Sequence, residues 1–150
     1  MISFRQFFKE SLEIDSSGVY ENGKKIADLE IDEVENVTKK EVLSYFGSED
    51  GDSHDPAISY IKSLKLPKTF MYVWIQFIKL LPQQRGKGKG SEILNTLAMN
   101  YPPGTLLALS AEEVSSGKTG SSLDMVKKFY KQNGFQLIRS QDKVFGFRVV

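Results

Sequence analysis

Apolar positions along the chain follow two rhythms. Ile2, Phe4, Phe7, Phe8 and Leu12 recur at helical spacing, which predicts a short amphipathic opening helix. Val19-Tyr20 and Ile26 to Ile31 read as extended stretches. Ala27, Leu29 and Ile31 alternate with Asp28, Glu30 and Asp32, as on a strand with one buried face. Asn22-Gly23 between them predicts a tight hairpin, because both residues tolerate positive φ. Thr38-Lys39-Lys40-Glu41 has the spacing of a capping box; Val42, Leu43, Tyr45 and Phe46 follow as far as Gly47. Asp55-Pro56 pairs an N-cap with a proline at the first helical position. The helix it starts carries Ile58, Ile61 and Leu64 and ends before Pro67.

Phe70 to Leu81 is apolar on both alternating faces apart from Gln76 and Lys79, so it is expected to lie centrally in a sheet. A glycine-rich stretch, Gly86 to Gly90, precedes a helix from Ser91 with Ile93, Leu94, Leu97 and Ala98 on one face. Thr105 to Ala111 reads as another buried strand. After a polar loop, Glu112 to Gly120, a helix from Ser121 has capping-box spacing to Asp124. Leu123, Val126, Phe129 and Tyr130 form its apolar stripe, and Gly134 supplies its C-terminal glycine. Phe135 to Ser140 and Lys143 to Val149 close the chain as a pair of strands. No repeat or linker divides the sequence, so residues 1–150 are expected to form one mixed α/β domain.

Composition narrows the chemistry. Cysteine is absent, which excludes disulfides, thiolate metal sites and a cysteine nucleophile. His54 is the single histidine, so a multi-histidine metal site is excluded and no metal is expected. No apolar run approaches the ~18 residues of a membrane span, and no signal-peptide pattern opens the chain. A cytoplasmic protein without a membrane partner is expected, as a monomer or homodimer. Net charge is +1, which gives no reason to expect direct nucleic-acid binding. Its distribution is uneven. Residues 1–55 hold 14 acids against 6 bases; residues 56–150 hold 5 acids against 14 bases. That division suits a basic site for an anion facing an acidic wall for a cation, or two solvated faces of opposite sign.

The segment from Arg85 to Ser91 unites these features. A central strand ends, alternate glycines follow at Gly86, Gly88 and Gly90, and a helix begins. Glycines let backbone approach a ligand closely, and the free N–H groups of a helix's first turn attract anions. Arg85, Lys87 and Lys89 add positive charge. The implied ligand is a phosphate or pyrophosphate. Gly117-Lys118-Thr119 suggests a nucleotide-binding P-loop, but the first glycine of that motif would fall on Glu112, whose carboxylate repels phosphate.

Arg85-Gly86-Lys87-Gly88-Lys89-Gly90 resembles the R/Q-x-x-G-x-G/A signature of the GNAT acetyltransferase superfamily. Some 40 residues later, Phe129-Tyr130-Lys131-Gln132-Asn133-Gly134-Phe135 is similar to that family's second signature, an aromatic-Tyr pair followed by Gly-Phe. The resemblance covers about residues 70–150. It implies a mixed, mostly antiparallel sheet flanked by helices, and acetyl-coenzyme A as cosubstrate. It also implies that the backbone of Ile78, Lys79 and Leu80 receives the pantetheine arm, in a strand splayed from its neighbour. The amides of Gly86, Lys87, Gly88, Lys89, Gly90 and Ser91 would take the pyrophosphate, with Arg85 beside them.

Catalytic roles follow from the same resemblance. Tyr130 matches the tyrosine that protonates the departing thiolate. The strand position that often carries a glutamate base holds Ser110, with Glu112 and Glu113 just beyond. The expected activity is N-acetyl transfer to an amine; the alternative is a catalytically degenerate module that binds coenzyme or protein. Neutralising a lysine at pH 7 costs about 4.6 kcal/mol, and an α-amine about 1.4. A site without a committed base therefore favours the easier amine. Glu49, Asp50 and Asp52 suggest a cationic acceptor, either a polyamine-like small molecule or a basic protein segment.

Overall fold

A computed structural model describes residues 7–9, 12–47, 55–111 and 123–150. Its centre is an eight-stranded sheet in the order β1-β2-β3-β4-β5-β6-β8-β7. The strands are β1 (Phe7–Lys9), β2 (Leu12–Asp15), β3 (Gly18–Glu21), β4 (Lys24–Val37), β5 (Phe70–Leu80), β6 (Leu106–Ser110), β7 (Gln136–Ser140) and β8 (Lys143–Val149). All neighbours run antiparallel except β5 and β6. The class is mixed α+β. Among the described residues no helix is long and apolar enough to cross a membrane.

Among the described residues, two helices cover each face. Ile93, Leu94 and Leu97 of α3 (Lys89–Asn100) and Tyr130 of α4 (Leu123–Gln132) pack with Leu29, Ile31, Val73, Ile75, Leu107 and Leu109. On the other face, Val42 and Leu43 of α1 (Lys39–Tyr45) and Ala57, Ile58 and Ile61 of α2 (Pro56–Ser63) meet Phe70, Tyr72, Leu106, Ala108 and Phe147. β6 and the first half of β5 are buried on both sides, as their apolar runs require.

Local chemistry sets the ends of α1 and α2. The Glu41 amide donates to Thr38 Oγ1 and the Thr38 amide to Glu41 Oε1, both at 3.2 Å. Asp55 Oδ1 accepts from the amides of Ala57 and Ile58. Lys39 Nζ donates to the carbonyls of Lys62 and Leu64, closing the far end of α2 with a cation. The Asn22-Gly23 turn has φ of 52° and 81°, as a tight hairpin needs.

The opening helix is a correction. Residues 1–6 lie outside the described residues, but Phe7–Lys9 and Leu12–Asp15 are strands, with Phe7 opposite Ile14. Pairing along the free edge of β3 outweighs a helical spacing of only a few residues. β4 also runs six residues past Ile31, because Glu33, which breaks the apolar alternation, is buried and accepts a 2.5 Å hydrogen bond from the Tyr101 hydroxyl. The third helix starts at Lys89 rather than Ser91, with Gly88 as N-cap in the left-handed conformation. The loop from Gly47 to His54, beyond Gly47 itself, and the segment 112–122 lie outside the described residues.

Candidate functional site

β5 outlasts its parallel neighbour β6, which ends at Ser110. Their parallel pairing runs from Tyr72 opposite Leu106 to Ile75 opposite Leu109. Past Ile75, β5 continues for five residues with no further β6 partner among the described residues. Its other edge stays on β4, with Ile78 opposite Leu29, Lys79 opposite Asp28 and Leu80 opposite Ala27. A bulge lies at the point of departure. Glu30 faces Phe77 and Ile31 faces Ile75, so Gln76 is the extra residue. Its side-chain amide donates to Asp32 Oδ2 at 2.7 Å.

The glycine loop follows directly. Pro82–Gln84 forms a 3-10 turn, and Arg85 Nη2 reaches back to the Leu80 carbonyl at 3.4 Å. Gly86 and Gly88 have φ of 77° and 72°, where a side chain is strained, and nothing lies within 4 Å of the position a Cβ would take. Gly88 offers no side-chain cap, and the first backbone bond of α3 is Glu92 N–H to the Gly88 carbonyl. The amides of Lys89, Gly90 and Ser91 therefore have no intrahelical acceptor. Donors of this kind at a helix N-terminus attract anions, and Arg85, Lys87 and the two glycines around it are exposed. The Lys89 ammonium is committed elsewhere. It lies 2.5 Å from Glu21 on β3 and 3.5 Å from Glu92, and the hydrogen bond to Glu21 holds its pKa above the usual lysine value.

Gly90 has a different role. A Cβ there would sit 2.9 Å from Cζ of Phe129. The start of α3 thus lies against α4, and Asn133 Nδ2 donates to Ser91 Oγ at 3.1 Å. The two segments singled out in the sequence, about 40 residues apart, are in contact through Gly90–Phe129 and Ser91–Asn133. Tyr130 sits behind this contact, 2% exposed, with its ring edge-on to Phe129 and Phe135. Burial pushes its phenol well above the ordinary tyrosine pKa, so it keeps its proton at neutral pH. Gly134 has φ of 86° and closes the helix; the Phe135 amide donates to the Tyr130 carbonyl at 3.0 Å.

Ser110 ends β6 at the same point. It is 2% exposed, and its Oγ has no hydrogen-bond partner among the described residues. Glu112 and Glu113 lie outside the described residues, as do Glu49, Asp50, Asp52 and His54.

Sequence reasoning did not find the cavity on the α1–α2 face. It has a volume of about 570 Å3. Five aromatic residues line it: Tyr45, Phe46, Tyr72, Trp74 and Phe145. Asp32, Asp55 and Lys143 supply charge, and Ser140 and Gln141 complete the wall. Asp55 Oδ2 accepts from the Ser140 hydroxyl, which ties α2 to the β7–β8 turn. Gln141 holds φ of 58° in that two-residue turn, a conformation glycine adopts more readily. The available signal was the period-two run Tyr72, Trp74 with Phe145, Phe147, which places these aromatic residues on one sheet face.

No protein-family model and no curated protein matches the chain.

Proposed function

We propose that the chain is a GNAT-type N-acetyltransferase that uses acetyl-coenzyme A to acetylate an amine. The observation that carries this reading is the meeting of the glycine loop and the Tyr130 helix beside the freed edge of β5. Three functions then fall on adjoining backbone. The edge of Ile78, Lys79 and Leu80 can pair with an extended amide-bearing arm. The cradle from Gly86 to Ser91 suits a pyrophosphate, with Arg85 and Lys87 exposed beside it. Tyr130 supplies a protonated phenol.

The coenzyme supplies an activated thioester. In the transfer, the amine nitrogen bonds to the carbonyl carbon as the carbon–sulfur bond breaks. The nitrogen gives up one proton, and Tyr130 donates one to the departing sulfur. Either Glu112 or Glu113 is the proposed acceptor of the nitrogen's proton, directly or through water. Ser110 at the strand position is too weak a base for that role.

Gly88→Asp tests the cradle. The site has room for the side chain, and aspartate tolerates the left-handed conformation better than most residues. A carboxylate there opposes a bound anion at a helix N-terminus. Calorimetry on the folded variant is expected to show acetyl-coenzyme A affinity reduced at least about tenfold. Unchanged affinity would overturn the assignment.

A further inference from the structure

The aromatic cavity lies on the sheet face opposite α3, and its chemistry is opposite to that of the glycine loop. Among the described residues it has three charged ones, and two of them are acids. They are not equivalent. Asp55 caps α2 through Oδ1 and accepts from Ser140 through Oδ2. Asp32 receives one hydrogen bond, from Gln76 to Oδ2, and its Oδ1 has no further partner among the described residues. One carboxylate oxygen is thus available to one cation. Aromatic rings supply the apolar part of the wall. Phe46 stands edge-on to Trp74 and Phe145, with centroids 6.3 and 5.2 Å away, and Trp74 lies 6.4 Å from Phe145.

We propose that this cavity binds a primary amine carried on an aromatic body, with the ammonium at Asp32 and the ring among Phe46, Trp74 and Phe145. Its volume falls within the roughly 300–1,000 Å3 range of small-molecule sites. Among the described residues, an anionic metabolite would meet two carboxylates against one ammonium, that of Lys143. A linear polyamine would bring several charges to one available oxygen and leave the rings without a flat partner. An arylalkylamine satisfies both halves, and its cation also gains from the electron-rich ring faces.

The position suits an acceptor, a role that rests on the acetyltransferase reading. Asp32 is bonded to Gln76, the bulged residue where β5 leaves β6. Trp74 precedes that point by two residues, and Ser110 pairs with Phe145, which lines the cavity. An ammonium at Asp32 therefore lies near the end of the β5–β6 pairing, while α3, which follows the glycine loop, packs on the other face of the sheet.

Trp74 is the chain's single tryptophan, so its fluorescence reports occupancy of this cavity directly. The protein is titrated with 2-phenylethylamine, with 2-phenylethanol and with spermidine. The amine is expected to give a saturable change at least about tenfold tighter than the alcohol, the scale of one charge-assisted hydrogen bond. Equal affinity for amine and alcohol, or tighter binding of spermidine, would overturn the proposal on wild-type protein alone. Asp32→Asn keeps an acceptor for Gln76 and is expected to erase the preference while sparing the alcohol. Acetyl transfer is then followed separately, as thiol release. A bound but unacetylated arylalkylamine supports the cavity assignment and counts against the acetyltransferase reading. Acetylation of other amines without arylalkylamine binding does the reverse.

Discussion

Ser110 carries a cost that packing alone does not explain. Its hydroxyl is buried without a partner among the described residues, and an unsatisfied buried polar group costs about 1–3 kcal/mol. Alanine removes the hydroxyl and little volume, so Ser110→Ala is expected to stabilise the fold by about 1 kcal/mol. The urea midpoint should rise with an unchanged slope; a lower midpoint would mean that Oγ has a partner. Tyr130 presents the converse case. Its ring fits the packing with Phe129 and Phe135, so Tyr130→Phe keeps the ring and removes only the hydroxyl that would give the proton. Acetyl transfer is expected to slow by about 10²–10⁴-fold with coenzyme affinity retained. A rate within about twofold of wild type would make Tyr130 a packing residue.

At the scale of elements, the contact between α3 and α4 joins the candidate coenzyme loop to the candidate proton donor. Gly90→Ala places a methyl group 2.9 Å from Phe129. Overpacking of this kind costs roughly 1–3 kcal/mol, against up to about 1 kcal/mol regained from alanine's helix propensity. A net loss of about 1 kcal/mol is expected in denaturant unfolding, with weaker coenzyme binding as α3 tilts from α4. Wild-type stability would show that Phe129 yields freely. The elements most legible in the sequence were those set by local chemistry. Thr38 with Glu41, Asp55 with Pro56, and Asn22-Gly23 each satisfy a backbone requirement within a few residues. The glycine loop was legible for the same reason. The opening strands were not, because β1 and β2 exist through pairing that the local pattern does not encode. The cavity also escaped, since Asp32, Tyr45, Trp74 and Phe145 meet only after the sheet is assembled.

Over the whole molecule, the sheet separates two cores, and each contains a buried tyrosine. Tyr130 belongs to the α3–α4 side and Tyr72 to the α1–α2 side. Burial raises both phenol pKa values above the ordinary 10.0, with a smaller contribution at Tyr72 from Tyr45. The sign for stability follows from proton binding. Below pH 10 both phenols are protonated whether the chain is folded or not, and their contribution is fully present. Above it the unfolded chain releases these protons while the native state keeps them. The unfolded state then binds fewer protons, so stability falls as pH rises toward the folded-state values. Each group contributes a slope of up to about 1.4 kcal/mol per pH unit. Lys89 and Lys25, raised by hydrogen bonds to Glu21 and Asp28, act in the same direction near the ordinary lysine range. Urea unfolding between pH 8 and 11 is therefore expected to show a plateau followed by a steep alkaline loss. Tyr130→Phe should remove one proton from that slope and leave the part due to Tyr72. If stability stays flat through this range, or the variant keeps the full wild-type slope, Tyr130 is not the buried phenol on which the α3–α4 core closes.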